Sequence, residues 1–252
     1  MDEKLILCAG SSPAARYACG FLKDLGFRVA KAPSEKVTHL MLDVPSFEAN
    51  GQLRFGGAVE KLLEQLPNGI VVCGGNLNHP ALNGYQKMDL LKDDTYLAQN
   101  AYITAECALD VAFPYLSITL RDCPVLILGW GRIGKCLGQL MRSIGADVTI
   151  AARKESDRAM IEALGCRAED MQSLIPGLKY FRLIFNTIPE LILTQADMNG
   201  CHPECVVIDL ASKPGIASED VITARGLPGI HMPESSGLLI AKSLVRLFQR
   251  EG

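Results

Sequence analysis

Three glycines, Gly129, Gly131 and Gly134, stand at the spacing G-x-G-x-x-G between the apolar run Pro124 to Leu128 and a helical pattern of Leu137, Leu140, Met141 and Ile144. The first glycine permits a tight strand-to-helix turn, the second lets backbone approach a pyrophosphate, and the third lets the helix lie close on the strand. A helix that begins there turns unpaired N–H groups and the positive end of its dipole to the phosphates, so an anion is held without a basic side chain. The spacing alone is a weak signal. With an amphipathic helix after it and a second strand over residues 146–151, a βαβ unit is complete and the pattern predicts a dinucleotide on Gly129, Gly131, Arg132, Ile133 and Gly134.

The tip of that second strand bears on which cofactor fits, because an acid there would hydrogen-bond a ribose 2′-hydroxyl and repel a 2′-phosphate. The strand runs out into Ala152-Arg153-Lys154, with no carboxylate at its tip. A guanidinium beside an ammonium suits a dianionic phosphate, so the expectation is NADP(H) in preference to NAD(H), held by Arg153 and Lys154. The plainer account of the same two residues is a solvated pair opening the next helix.

The alternation of strand and helix continues beyond this unit. Residues 156–164 read as a helix stopped by Gly165, 183–185 as a buried strand, Thr194 as the cap of a short helix, and 206–210 as another strand. The fold class expected is α/β: a C-terminal Rossmann domain with a doubly wound parallel sheet, and a smaller N-terminal α/β domain of flavodoxin-like type. Ligands of such sheets lie beyond the carboxyl ends of the strands. That places Asn186, Thr187, Ile188 and Pro189 after one strand, and Leu210, Ala211 and Ser212 after another, against the cofactor. Ser212 and Asn186 would donate to the nicotinamide ribose or to the substrate, with Thr187 on the same rim, and Lys213 would take a substrate carboxylate.

The first half has a shorter alternation: a strand over 4–9, a helix over 14–25 ended by Gly26, and strand signals at Val29, 39–42 and 70–73. Its glycine-bearing loops, Gly10-Ser11-Ser12 and Gly74-Gly75-Asn76, lack a full phosphate fingerprint and read as bends. The boundaries expected are 1–103 for this domain, 104–120 for a linker helix capped by Thr104, 121–235 for the Rossmann domain, and 236–252 for a last helix returning to the first domain. Glu106 in the first turn of the linker helix and His231 are the candidate proton-transfer groups; a helix-favouring glutamate is the blander account of the former.

Composition narrows the classes of partner. The chain has 252 residues and a net charge of −3, which gives no basic field for nucleic acid or an anionic membrane. No charged start with an apolar run and no apolar stretch of about 18 residues is present, so a cytoplasmic setting is expected. Nine cysteines then read as reduced, mostly buried thiols. Cys201-His202-Pro203-Glu204-Cys205 has metal-like spacing but no second ligand pair nearby, and reads as a turn before a strand, with no metal expected.

Gly-Trp-Gly-Arg-Ile-Gly at 129–134, Ala151-Ala152-Arg153, Phe185-Asn186-Thr187-Ile188-Pro189, Ile208 to Gly215 and Gly226-Leu227-Pro228-Gly229 together resemble the A subunits of bacterial dipicolinate synthases. The likeness runs from about Asp89 to the end, and more loosely around Ala9-Gly10 and Val44 to Gly51. It implies oxidation of a dihydrodipicolinate, a small dicarboxylate, with a nicotinamide cofactor in the cytoplasm of a sporulating cell. The partner it implies is a second, flavoprotein-like subunit; a homo-oligomer is an expectation separate from the resemblance. The sequence departs from the family at Ile133, in a shorter segment after Pro214, and at Met232 to Gly237, where Glu234, followed by Ser235, stands in place of a lysine. Two other readings stay open: a 2-keto acid reductase of the 2-hydroxyacid dehydrogenase kind using His231, and a protein that binds nucleotide without catalysis, as a regulatory subunit would.

Overall fold

The computed structural model describes residues 4–54 and 56–250. Along the chain come β1 (Leu5–Cys8), α1 (Pro13–Asp24), β2 (Arg28–Ala30), β3 (His39–Met41), α2 (Val59–Leu63), β4 (Val71–Gly74), β5 (Gln86–Asp89) and α3 (Asp94–Ala112). Then follow β6 (Pro124–Leu128), α4 (Arg132–Ile144), β7 (Asp147–Ala152), α5 (Glu155–Ala163), β8 (Arg167–Asp170), β9 (Leu183–Asn186) and α6 (Gln195–Met198). The chain ends with β10 (Val206–Asp209), β11 (Ile222–Thr223), α7 (Leu227–His231) and α8 (Pro233–Phe248). Two compact units result, one of Met1–Asn100 with Pro228–Gly252, the other of Ala101–Leu227.

The first unit holds a parallel sheet in the order β2-β1-β3-β4-β5. Its strand β4 is buried along its whole length, as an apolar strand covered on both faces must be. Leu7, Leu40, Val72 and Leu82 form the centre of the core. Ser12 caps α1 by accepting from the Ala15 N–H at 3.1 Å, and Pro13 follows at the first helical position, where its missing N–H costs nothing. The two glycine-bearing loops of this unit are held by carboxylates. Asp43, 2 % exposed, accepts from the Ser11 and Ser12 N–H groups at 3.1 Å each and from the Ser12 hydroxyl. Asp89 accepts from the N–H groups of Asn76, Leu77 and Leu91 at 2.9, 2.9 and 3.0 Å.

The second unit holds a parallel sheet in the order β11-β10-β9-β6-β7-β8. From β6 the chain winds outward through β7 and β8, then returns to the other side of β6 and winds through β9, β10 and β11. That reversal leaves a crevice between the carboxyl ends of β6 and β9, the place where a doubly wound sheet takes its ligand. Leu128 is in register with Ala151 on one side and Asn186 on the other, so β6 and β9 end level and β7 runs one residue further. Leu126, Leu128, Ala151, Ile184 and Val207 pack into the core of this unit.

Helix α3 begins at Asp94, ten residues before the expected linker helix, and ends at Ala112 rather than at residue 120. The reason lies in Asp93, whose carboxylate accepts from the Tyr96 N–H at 2.7 Å and supplies the N-terminal cap that Thr104 was expected to give. Thr104 is instead buried inside the helix, and Glu106 is a half-buried interior residue rather than a first-turn acid. All nine cysteines are free thiols; Cys73, Cys107 and Cys123 are buried and the other six only partly so, fewer buried than expected. Among the described residues no helix is long and apolar enough to cross a membrane.

Candidate functional site

Gly129 leaves β6 at φ +104°, a left-handed conformation that a side chain would strain, and its N–H donates to the Ala151 carbonyl at 3.0 Å. A Cβ at this position would stand 2.6 Å from Thr187 Oγ1 and 2.8 Å from Ile188 Cγ1. Gly134 is required for a different reason, since a Cβ there would overlap the Gly129 carbonyl oxygen. Gly131 is required by neither: it caps α4, and a Cβ on it would meet no protein atom within 4 Å. The backbone there is open to approach, and no side chain caps the thirteen-residue helix that starts beside it. Backbone N–H groups at such an end are the donors a pyrophosphate needs.

The loops that follow β9 and β10 are fastened to this turn and to each other. Thr187 donates from both its N–H (3.0 Å) and its hydroxyl (2.8 Å) to the Leu128 carbonyl, which leaves the hydroxyl lone pairs free to accept. Asn186 is wholly buried. Its amide donates to the Ile188 carbonyl at 3.0 Å and to Asp209 Oδ1 at 2.8 Å, while its oxygen accepts from the Ile188 N–H at 3.0 Å. Both amide protons are thus used inside the protein, and Asn186 is a positioning residue, not the donor to nicotinamide or substrate that its place at a strand end suggested.

Asp209, 2 % exposed, is the partner that sequence reasoning passed over. It also accepts from the Ala211 N–H at 3.0 Å and the Gly215 N–H at 2.8 Å, so one carboxylate sets the course of the whole Leu210 to Gly215 loop. Gly215 is needed there because a Cβ would overlap the Asn186 amide nitrogen. Ser212 and Lys213 ride on this loop and are exposed, while Leu210 and Ala211 are buried beneath them.

At the tip of β7, Arg153 and Lys154 are exposed. Two neighbours were not anticipated. Arg158 Nη1 donates to the Ala152 and Arg153 carbonyls at 3.0 and 2.9 Å and pairs with Asp170 at 2.9 Å, so the strand tip carries a third cation. Arg153 itself pairs with Glu190 at 3.3 Å. The Cys201 to Cys205 segment is a turn: the Glu204 N–H donates to His202 Nδ1 at 3.1 Å, and the Glu204 carboxylate pairs with Arg182 at 2.9 Å.

No family model matches the chain. A curated protein does: the A subunit of dipicolinate synthase from Bacillus subtilis (strain 168) is 26 % identical over 247 residues, covering 90 % of this chain and 83 % of that protein. The chain resembles the A subunits of dipicolinate synthases. Two solved structures extend the likeness to the fold. The crystal structure of the A subunit of dipicolinate synthase from Bacillus halodurans superposes with a TM-score of 0.83 at 23 % identity, over 97 % of this chain and 98 % of that one. A transhydrogenase from Sinorhizobium meliloti superposes with a TM-score of 0.74 at 15 % identity, over 98 % and 94 %. The architecture of the dipicolinate synthase A subunits thus accounts for both α/β units of this chain.

The candidate chemical residues are divided between those units. Lys213 and Ser212 belong to the second, with Glu106 on the part of α3 that lies in it; His231, Glu234 and Ser235 belong to the first, at the end of α7 and the start of α8, and all three are exposed. Burial, followed by the nearby carboxylates of Asp110 and Glu106, pushes the Cys107 thiol up to about 11, so the thiol one residue from Glu106 is a poor nucleophile at neutral pH.

Proposed function

We propose that this chain oxidises a dihydrodipicolinate to dipicolinate, the substrate losing a hydride to NADP+ and a proton to the protein and then to water. The observation that carries the reading is the open volume over Gly131 at the uncapped end of α4, at the point where the sheet reverses. A nicotinamide bound there supplies the hydride acceptor. The chain's own residues do the rest: the glycine turn holds pyrophosphate, and Arg153 and Lys154 hold the 2′-phosphate. Ile188, Pro189, Leu210 and Ala211 line the cofactor, and Thr187 offers lone pairs on its rim. Ser212 donates a hydrogen bond and Lys213 pairs with a substrate carboxylate. Glu106 and His231 are the two groups able to take the proton. The similarity to the A subunit of the Bacillus subtilis dipicolinate synthase supports the choice of substrate. A cytoplasmic setting, a flavoprotein-like second subunit and a homo-oligomeric state belong to the same proposal.

NADPH formation from NADP+ with dihydrodipicolinate, and NADPH consumption with a panel of 2-keto acids, both followed by absorbance with and without a flavoprotein-like subunit, test this reading. Turnover with dihydrodipicolinate is expected. Lys213→Ala should lower kcat/KM roughly 10- to 100-fold, the loss of one charge-assisted contact, and leave the NADPH Kd unchanged. Keto-acid turnover abolished by His231→Ala would assign the chain to the 2-keto acid reductases instead, and cofactor binding without any turnover would make it a nucleotide-binding subunit.

A further inference from the structure

The Arg153–Glu190 pair has an unusual position in the sheet. Arg153 is the first residue past the end of β7, and Glu190 lies in the loop past the end of β9. Those strands are the two neighbours of β6. Adjacent strands lie roughly 4.8 Å apart, so a pair that joins the loops after β7 and β9 spans the width of β6, the strand that leads into the Gly129 turn. The Glu190 backbone lies beside the loop after β10, since its carbonyl would be 3.0 Å from a Cβ on Gly215, and its side chain meets that of Arg153. Both side chains are about two-thirds exposed, at 65 % and 63 %, so packing does not compel them to meet. What brings them together is charge.

An acid is also what the β7 tip lacks in sequence, and the fold delivers one from the neighbouring loop. We propose, resting on the NADP(H) reading above, that Glu190 is a surrogate anion that holds Arg153 beside the glycine turn and is exchanged for the 2′-phosphate when the cofactor enters. Arg153 presents a planar fork that fits one carboxylate or one phosphate at a time. A cofactor carrying a 2′-phosphate replaces the lost ion pair with a stronger one and sends the Glu190 carboxylate into water. A cofactor with a bare 2′-hydroxyl offers Arg153 no such replacement and leaves the latch closed. Glu190 thereby sets how much of the Arg153 charge is available to discriminate the two, and it weakens NADP(H) binding while it does so.

Trp130, the chain's only tryptophan, lies between Gly129 and Gly131, so its fluorescence reports occupancy of the turn without any need for turnover. Titrations of the full chain with NADPH, NADH, 2′,5′-ADP and 5′-AMP would be compared for the wild type, Glu190→Gln, Arg153→Ala and the double variant. Glu190→Gln is expected to tighten NADPH and 2′,5′-ADP about two- to fivefold, the range of an exposed ion pair, and to change NADH and 5′-AMP less than twofold. Arg153→Ala should abolish the preference for a 2′-phosphate, and in its background Glu190→Gln should have no effect. Unchanged or weaker 2′,5′-ADP binding by Glu190→Gln, or an equal effect on 5′-AMP, would overturn the proposal. A wild type that binds NADPH and NADH equally would defeat the NADP(H) reading by itself. In that case a 2′-phosphate preference unmasked by Glu190→Gln would still support the surrogate, and its absence would overturn both.

Discussion

At the scale of single residues, the second unit depends on a carboxylate that touches no ligand. Asp209 collects three donors in a place that water does not reach: Asn186 Nδ2, the Ala211 N–H and the Gly215 N–H. Removing it leaves those donors buried without partners, and each such group costs about 1–3 kcal/mol where it cannot find water. Asp209→Ala should therefore destabilise the unit by roughly 2–4 kcal/mol, near the upper end for one substitution. A urea midpoint within 0.5 kcal/mol of the wild type, about the size of a neutral surface change, would mean that the loop repacks and the network is dispensable. The expected consequence for function is a displaced Ser212-Lys213 segment, because the same carboxylate steers both ends of its loop. Asn186 was visible in sequence as a polar residue at a strand end. Its partner, 23 residues further on, was not, because which of two polar groups turns inward depends on the register of β9 with β10.

At the scale of elements, close approach decides more than propensity. Helix α8 crosses α1 at Gly237, where a Cβ would stand 2.5 Å from Tyr17 Cβ and 2.6 Å from the Ala14 carbonyl. A glycine in a helix interior normally gains about 1 kcal/mol on replacement by alanine. Here the obstacles are a Cβ and backbone atoms rather than flexible side-chain ends, and overpacking of this kind costs roughly 1–3 kcal/mol. Gly237→Ala should then lower stability by about 1 kcal/mol, measured by thermal or urea unfolding, and a rise in stability would show that the helices separate freely. The elements legible from sequence were those with strong periodicity or an apolar run, among them β1, α1, β3, β4, β6, α4, β7, α5, β9, β10 and α8. Strands β5, β8 and β11 escaped because they are edge strands with polar sequences, Gln86-Lys87-Met88-Asp89 and Arg167-Ala168-Glu169-Asp170 among them, and exist only through pairing with a buried neighbour. The start of α3 was misplaced because Thr104 was read as its cap, whereas the helix begins ten residues earlier behind the Asp93 carboxylate.

At the scale of the whole molecule, the first unit is assembled from both ends of the chain, and an ion pair is among the contacts that join them. Arg246 on α8 pairs with Asp93 at 2.5 Å across 153 residues of sequence, and its other terminal nitrogen is buried with no hydrogen-bond partner. Losing Asp93 would leave that guanidinium to be rehydrated. The hydrogen bond from Arg246 is the main reason the Asp93 carboxyl lies below its ordinary value, with the Tyr96 N–H adding to it against the opposing effect of burial. A carboxyl whose folded pKa is depressed binds fewer protons folded than unfolded around pH 4, so its contribution is complete above about pH 5. It is lost as the pH falls through the unfolded value near 3.9 and on towards the folded one. An ion pair that water still reaches from one side is worth about 1 kcal/mol. Asp93→Asn should therefore be less stable than the wild type by about that amount at pH 7, and the gap should close on acidification below pH 4. Urea unfolding of both proteins from pH 7 to pH 3, read as the difference between them, removes the contributions of all other carboxylates. A gap that stays constant over that range would show that the joint between the two chain segments does not depend on the Asp93 charge.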